Sequence, residues 1–495
     1  ATVTWDGSTD MDRTQPDTTS WGASTYTNGD DASFLGSGTG TVTIVGTVNP
    51  GSVLVDGTAP YTFAGGTIAG SATLTKRGAG VLTLSGSNTY SGLTMVTSNG
   101  VLDVGAIGAG GLSANSGLYL GTTNNGAPSA YGILQGNGTF TRSLSGSATP
   151  AAGQIAAKAG GFAARGGDLI VNFGGNTNGF DLNTGAHRFG DNFVFGSDTA
   201  DGKVILLNPI NLNSGGERTF TVIPGIGGDA ATAAELRGTL SSSALGGGLR
   251  KQGAGMLILS NTNNTYVGKT WIQDGTLSVA SIRDVNGGNS SLGAPTNSAS
   301  GTIQIGSGGT TGRLLYTGSG DTTDRAVDLA GTTGGAILEQ SGTGLLQFTT
   351  NFTATGAGVK TLTLQGSTAG VGEIAGSIVD NSGANKTSVT KDGTGTWILS
   401  GANTHSGDTT VSGGRLVAAN ALAMQNSTVD LQIDGGVAFS NATSFVFGGL
   451  AGSGDLGLTN LGGGALTLRA GNNGASPAYS GSLGGDGGLA KLGDG

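Results

Sequence analysis

Two histidines and a scatter of aspartates are the residues of this 495-residue chain whose types could do chemistry. His187 lies in the segment FDLNTGAHRFGDNF, with Asp181, Arg188 and Asp191 nearby in sequence. A histidine–carboxylate metal site, built from His187 and Asp191, or the base and orienting acid of a hydrolytic triad would draw on such a set. A triad also needs an activated nucleophile, and no nucleophile motif accompanies this histidine. A second grouping is Asp168, Asp191 and Asp201 with Arg188. Stacked on one face, these would give the carboxylates and the cation with which an enzyme cuts an acidic polysaccharide, but nothing in the sequence brings them together. Asp10 and Asp12 are candidates for calcium, without the glycine-bracketed loop or the nonapeptide repeat that usually frames it. Glycines 246–248 lack the Lys-Ser/Thr pair and following helix of a phosphate loop. Thr41 with Thr43 and Thr361 with Thr363 would suit an ice-binding face only if the pairs recurred turn after turn, so they read as exposed β-formers. The expectation is a protein that is not an enzyme, with no catalytic residue, cofactor or metal ligand to assign.

His405 has a different reading, which comes from the elements that surround it. The stretch from Leu74 to Val104, LTKRGAGVLTLSGSNTYSGLTMVTSNGVLDV, returns at Leu249–Val279 and at Val389–Ala418, and in worn form from Leu458. His405 falls where the other copies have Tyr90, Tyr266 and Tyr479, so it reads as a substitute for a packed ring. Self-similarity of this kind is a structural repeat. In each copy apolar residues alternate: Leu82 and Leu84, Leu257 and Leu259, Trp397 and Leu399, Leu466 and Leu468. A period of two puts one face inward. Further runs align Val96, Ile272 and Val411, then Leu102, Leu277 and Leu416. Three strands are expected per copy, with glycine at 100, 275 and 414 supplying positive φ at a sharp turn. Such a unit, roughly one coil, cannot bury its apolar face alone. Coils stacked about 4.7–4.9 Å apart can, which predicts an all-β parallel β-solenoid.

Composition agrees. One hundred glycines and 5% aromatic residues make poor material for a broad globular core, while 9 prolines and phased apolar triplets argue against disorder. The net charge of -9, with no basic stripe, disfavours nucleic acid or an anionic membrane as partner. No run of 18 apolar residues exists to form a transmembrane helix. Cysteine is absent, which excludes disulfides and thiolate metal sites. The start at Ala1 fits removal of a secretory signal.

Taken in order, residues 1–40 carry Trp5, Trp21, Tyr26 and Phe34 among aspartates and are expected to cap the open end of the stack. Residues 41–495 should be β-helix, with the copies at 74–104, 249–279 and 389–418 and the degenerate one from 458 embedded among less regular coils. Alanine 230 to leucine 236 is the one segment that reads as a helical turn. Coils of roughly 22–25 residues would give about 20 turns and a rod on the order of 100 Å. Asn88, Asn264 and Asn403 are expected to stack as an amide ladder. The closing LAKLGDG matches the opening of a copy, so a further coil is expected beyond residue 495, from the same chain or from a neighbouring molecule.

The copies resemble the autotransporter-associated β-strand repeat, or passenger-associated transport repeat. The likeness rests on Lys-x-Gly-x-Gly, Leu-x-Leu-Ser, Asn-Thr-Tyr-x-Gly and Gly-x-Leu, at Lys76 to Leu102, Lys251 to Leu277 and Lys391 to Leu416, the third copy having His405 in place of the tyrosine. That resemblance implies a right-handed parallel β-helix in a bacterial, secreted surface or matrix protein. Its partner would be a host-cell or glycan surface, the protein acting as an adhesin; the unfinished last coil adds the reading of further copies joined end to end as a filament. A carbohydrate-active β-helix enzyme is the alternative.

Overall fold

The computed structural model describes residues 2–4, 10–11, 26–35, 40–121, 130–182, 187–213, 215–243 and 246–494. They form two units, one within residues 1–213, 218–240 and 253–257, the other within 214–217, 241–252 and 258–495. Each is a parallel β-helix, in which strand after strand pairs in parallel with the strand one turn later.

In the first unit the alternating sequence pattern becomes a buried column. Tyr61 lies beside Leu82, Leu82 beside Leu102, and the series continues through Leu134, Phe162, Phe195 and Val222. All seven are buried. The second unit has its own column, Leu277, Leu314, Leu338 and Leu364, and another in which Gly372 lies beside Trp397 and Trp397 beside Leu416. The glycine is needed there. A Cβ on Gly372 would sit 2.4 Å from the indole carbon Cδ2 of Trp397, a side chain with no exposure at all.

Turn length departs from the expected 22–25 residues in both directions. Ser52 meets Thr73 after 21 residues and Leu74 meets Thr94 after 20, whereas Leu118 meets Ile155 after 37. The tight turns fall in the regular coils, and the long ones carry extra loop. The short turn also changes the meaning of the repeat. Within 74–104 there are four strands, Thr73–Arg77, Val81–Leu84, Thr94–Val96 and Gly100–Ala106, the first pairing with the third and the second with the fourth. A copy is therefore about one and a half turns, and its second half roofs its first. The third copy repeats this with Thr387–Lys391 on Thr409–Val411 and Thr396–Leu399 on Arg415–Ala418.

The expected helical turn at 230–236 gives way to a strand in its second half, residues 230–233 forming a turn in which Thr232 N donates to Gly228 O. Ala234–Leu236 pairs with Val204–Leu206, because Ala234 and Leu236 alternate inward around the outward Glu235. The helical pieces among the described residues are Ser298–Gly301 and the 3-10 turn Phe173–Gly175. Of residues 1–40, Thr2–Thr4 pairs with the strand Asp31–Leu35 and Asp10–Met11 with Thr43 and Ile44. Phe34 is buried against Phe63 and Tyr61, with ring centroids 4.7 and 5.7 Å away. Trp5 and Trp21 lie outside the described residues.

Candidate functional site

The lysine that opens each copy occupies an inward position, where an alternating strand would place a leucine. Lys76 is registered between Val55 and Val96, Lys391 between Leu364 and Val411, and Lys251 beside Ile272. All three are fully buried. An ammonium there must be hydrogen-bonded, and each turns onto main-chain carbonyls at the strand end. Lys76 Nζ donates to Arg77 and Gly78, and Lys251 Nζ donates to Gln252 at 2.9 Å and Asp274 at 3.0 Å. Lys391 Nζ donates to Asp392, Gly393 and Gly413 at 2.6, 3.1 and 2.9 Å. Burial pulls the ammonium groups of Lys76 and Lys391 down to about 8, with the carboxylates of Asp56 and Asp392 respectively working the other way. These bonds give the Lys-x-Gly spacing its purpose. For Lys76 and Lys391 the glycine two residues on offers one of the carbonyls.

The central ring of each copy is a second fixed point. Tyr90 Oη lies 2.8 Å from Thr94 Oγ1, and Tyr266 Oη 2.8 Å from Thr270 Oγ1. His405 stands in for them, with Nε2 3.1 Å from Thr409 Oγ1. Its Nδ1 is buried with no partner, and burial drives the ring down to about 4. The same desolvation pushes the phenols of Tyr90 and Tyr266 up to about 12. In the degenerate copy Tyr479 instead donates to the carbonyls of Gly454 and Ser482.

The asparagines do not stack as an amide ladder. Asn88 accepts from Ile68 N on the coil before and donates to Gly111 O on the coil after. Asn403 does the same between Ile378 N and Ala423 O, both at 2.8 Å. Asn264 donates to Asn261 O and Ser291 O. The three lie 176 and 139 residues apart, several turns from one another, so none brings its carboxamide to another at ladder spacing and the backbone becomes the partner.

The sequence-derived chemical groups disperse. His187 Nδ1 is hydrogen-bonded to Tyr119 Oη at 2.8 Å, a buried phenol, so the ring is a packing partner. Asp168 and Asp201 do fall at neighbouring turns, but each accepts a main-chain N–H, from Lys203 and Gly166 respectively. Asp181 accepts from Asn211 Nδ2 at 2.8 Å. The side chains of Asp10, Asp12 and Asp191 lie outside the described residues. Among those described, no three His, Asp or Glu side chains are grouped to hold a metal.

Arg188 goes elsewhere. It lines a cleft of about 210 Å³ with Phe173, Asn176, Asn178, Phe180 and the short strand Ser143–Leu144. Its Nε is buried and has no hydrogen-bond partner. Phe173 and Phe180, both buried, meet edge to face at 5.3 Å.

Residues 74–104, 249–279 and 389–418 match the family model of the passenger-associated-transport-repeat. The chain carries passenger-associated transport repeats. The lysine clip, the ring–threonine pair and the asparagine bridge are thus how those repeats hold their coils in this molecule. Over 87% of its length the chain is 30% identical to the "Adhesin BmaC autotransporter" of Brucella suis biovar 1 (strain 1330). The chain spans 14% of that protein's length. No solved structure matches. The repeats and the relative agree on a secreted protein of the cell surface.

Proposed function

We propose that this chain is the adhesive, non-enzymatic β-helical passenger of an autotransporter-type surface protein, presenting its outward side chains to a host cell or glycan. The observation that carries the reading is the likeness to an adhesin over 87% of the chain. The geometry supports it chemically: the histidines and the two aspartates most suited to catalysis are spent on packing and on turns. Purified chain coated on beads should attach the beads to host epithelial cells well above beads coated with an unrelated β-helix. Equal attachment would refute the reading. Release of oligosaccharides from an acidic glycan would favour an enzyme instead.

A further inference from the structure

We infer that the Arg188 cleft binds one carboxylate-bearing sugar residue, which on the adhesin reading would belong to a surface glycan. Four features of the cleft select that chemistry.

The first is the unsatisfied cation. Arg188 is half-buried, no ion pair or hydrogen bond engages its side chain among the described residues, and its Nε–H is sealed from solvent without an acceptor. A buried donor left unpaired is destabilising, and a guanidinium offers a planar fork that fits a carboxylate in bidentate fashion. On a chain of net charge -9, with Asp181 committed to Asn211, no acidic side chain among the described residues lines the cleft to fill that role. Arg250 and Arg313 also bury an Nε without a partner, but each holds a glutamate, Glu217 and Glu339, as Arg237 holds Glu235, whereas Arg188 holds none among the described residues.

Shape and surroundings indicate a sugar. Phe173 and Phe180 line the cleft, and the accessible parts of their edge-to-face rings offer an apolar contact to the C–H groups of a pyranose. At the rim is the exposed Asn178, whose carboxamide makes no hydrogen bond among the described residues, while its carbonyl is fixed by Asn208 Nδ2 at 3.0 Å. A donor and an acceptor are therefore free for ring hydroxyls. About 210 Å³ falls below the roughly 300–1,000 Å³ of sites that enclose a drug-sized ligand, which matches a single ring.

The test uses the whole purified chain with glucuronic acid and N-acetylneuraminic acid against glucose, read by ligand-observed NMR. A small ligand in an open cleft should bind only at about millimolar strength, so the same sugars displayed on a polymer should gain avidity. Both acids should bind at least about tenfold better than glucose, and Arg188→Gln should lose at least about tenfold while keeping its melting temperature. If Arg188→Gln does not fold, Asn178→Ala carries the test, with a several-fold loss expected. Equal binding of glucose, or unchanged binding by a folded variant, would overturn the inference. So would a short peptide carboxylate binding as tightly as the sugar acids. Beads that adhere to cells while the chain binds no sugar acid would sink the cleft and leave the adhesin reading standing. Failure of both would remove both.

Discussion

Replacing His405 with tyrosine tests whether the copies share one internal geometry. In two copies a phenol reaches the threonine four residues on. In the third, an imidazole does so and leaves Nδ1 buried without a partner. His405 is 1% exposed, and burial holds its folded pKa at about 4 against 6.5. Between those values the unfolded chain binds a proton that the folded chain refuses, so stability is full above pH 6.5 and is lost as pH falls towards 4. The full difference of about 2.5 units corresponds to roughly 3.4 kcal/mol, of which about 2 kcal/mol is lost between pH 7 and 5. His405→Tyr removes that proton uptake and fills the orphaned position, a gain of about 1 kcal/mol or more at neutral pH. Hydrogen exchange of the amides of Val389–Ala418 reads local opening at both pH values, and the remaining titratable groups, common to both proteins, cancel in the comparison. Protection in the wild type should fall by roughly 30-fold more than in the variant on going from pH 7 to 5, after correction for intrinsic exchange. Parallel pH profiles, or a variant less protected at pH 7, would refute the reasoning.

Lys391→Met keeps the apolar stem but leaves the carbonyls of Asp392, Gly393 and Gly413 without their donor; a local loss of about 2–3 kcal/mol is expected, and an unchanged urea midpoint would show that water replaces the ammonium. Gly372→Ala forces a methyl against the Trp397 indole and should cost about 1–3 kcal/mol, seen as earlier proteolysis of the second unit, whereas a native-like digestion profile would count against that packing. Of the eight tyrosines, Tyr90 and Tyr266 should release their protons only near pH 12, later than an exposed phenol, as followed by phenolate absorbance in single Tyr→Phe variants. Titration of either near pH 10 in the folded chain would contradict its burial.

The parallel β-helix was legible in the sequence because alternation and repetition carry it. Leu118–Leu120 and Leu345–Phe348 form as the apolar pattern predicts, and the tyrosine position explains His405. Where bulk is missing, the pattern falls silent. Gln154–Val171 is an 18-residue strand, yet much of it reads as alanine and glycine. Backbone crowding requires that composition, since a Cβ on Gly161 would lie 1.8 Å from the carbonyl oxygen of Val194. The strand Val371–Ile374 stops short of the apolar Ile378 and Val379, because Ser377 and Ile378 give their N–H groups to Asn351 and Asn403 instead of to a ladder. Nothing local marks Arg188 as a cleft residue. Its surroundings come from segments about 10 to 45 positions away, joined by turns whose lengths follow no period.

The overlap of each copy with itself bears on how the molecule is built in time. Residue 74 meets residue 94 and residue 389 meets residue 409, so no strand of a copy waits for a distant part of the chain. Short-range closure of this kind favours rapid, sequential growth over a single concerted collapse. A polypeptide delivered end first, as through a narrow opening, could lay down each layer on the last as it emerges, with every finished layer hindering backward slippage.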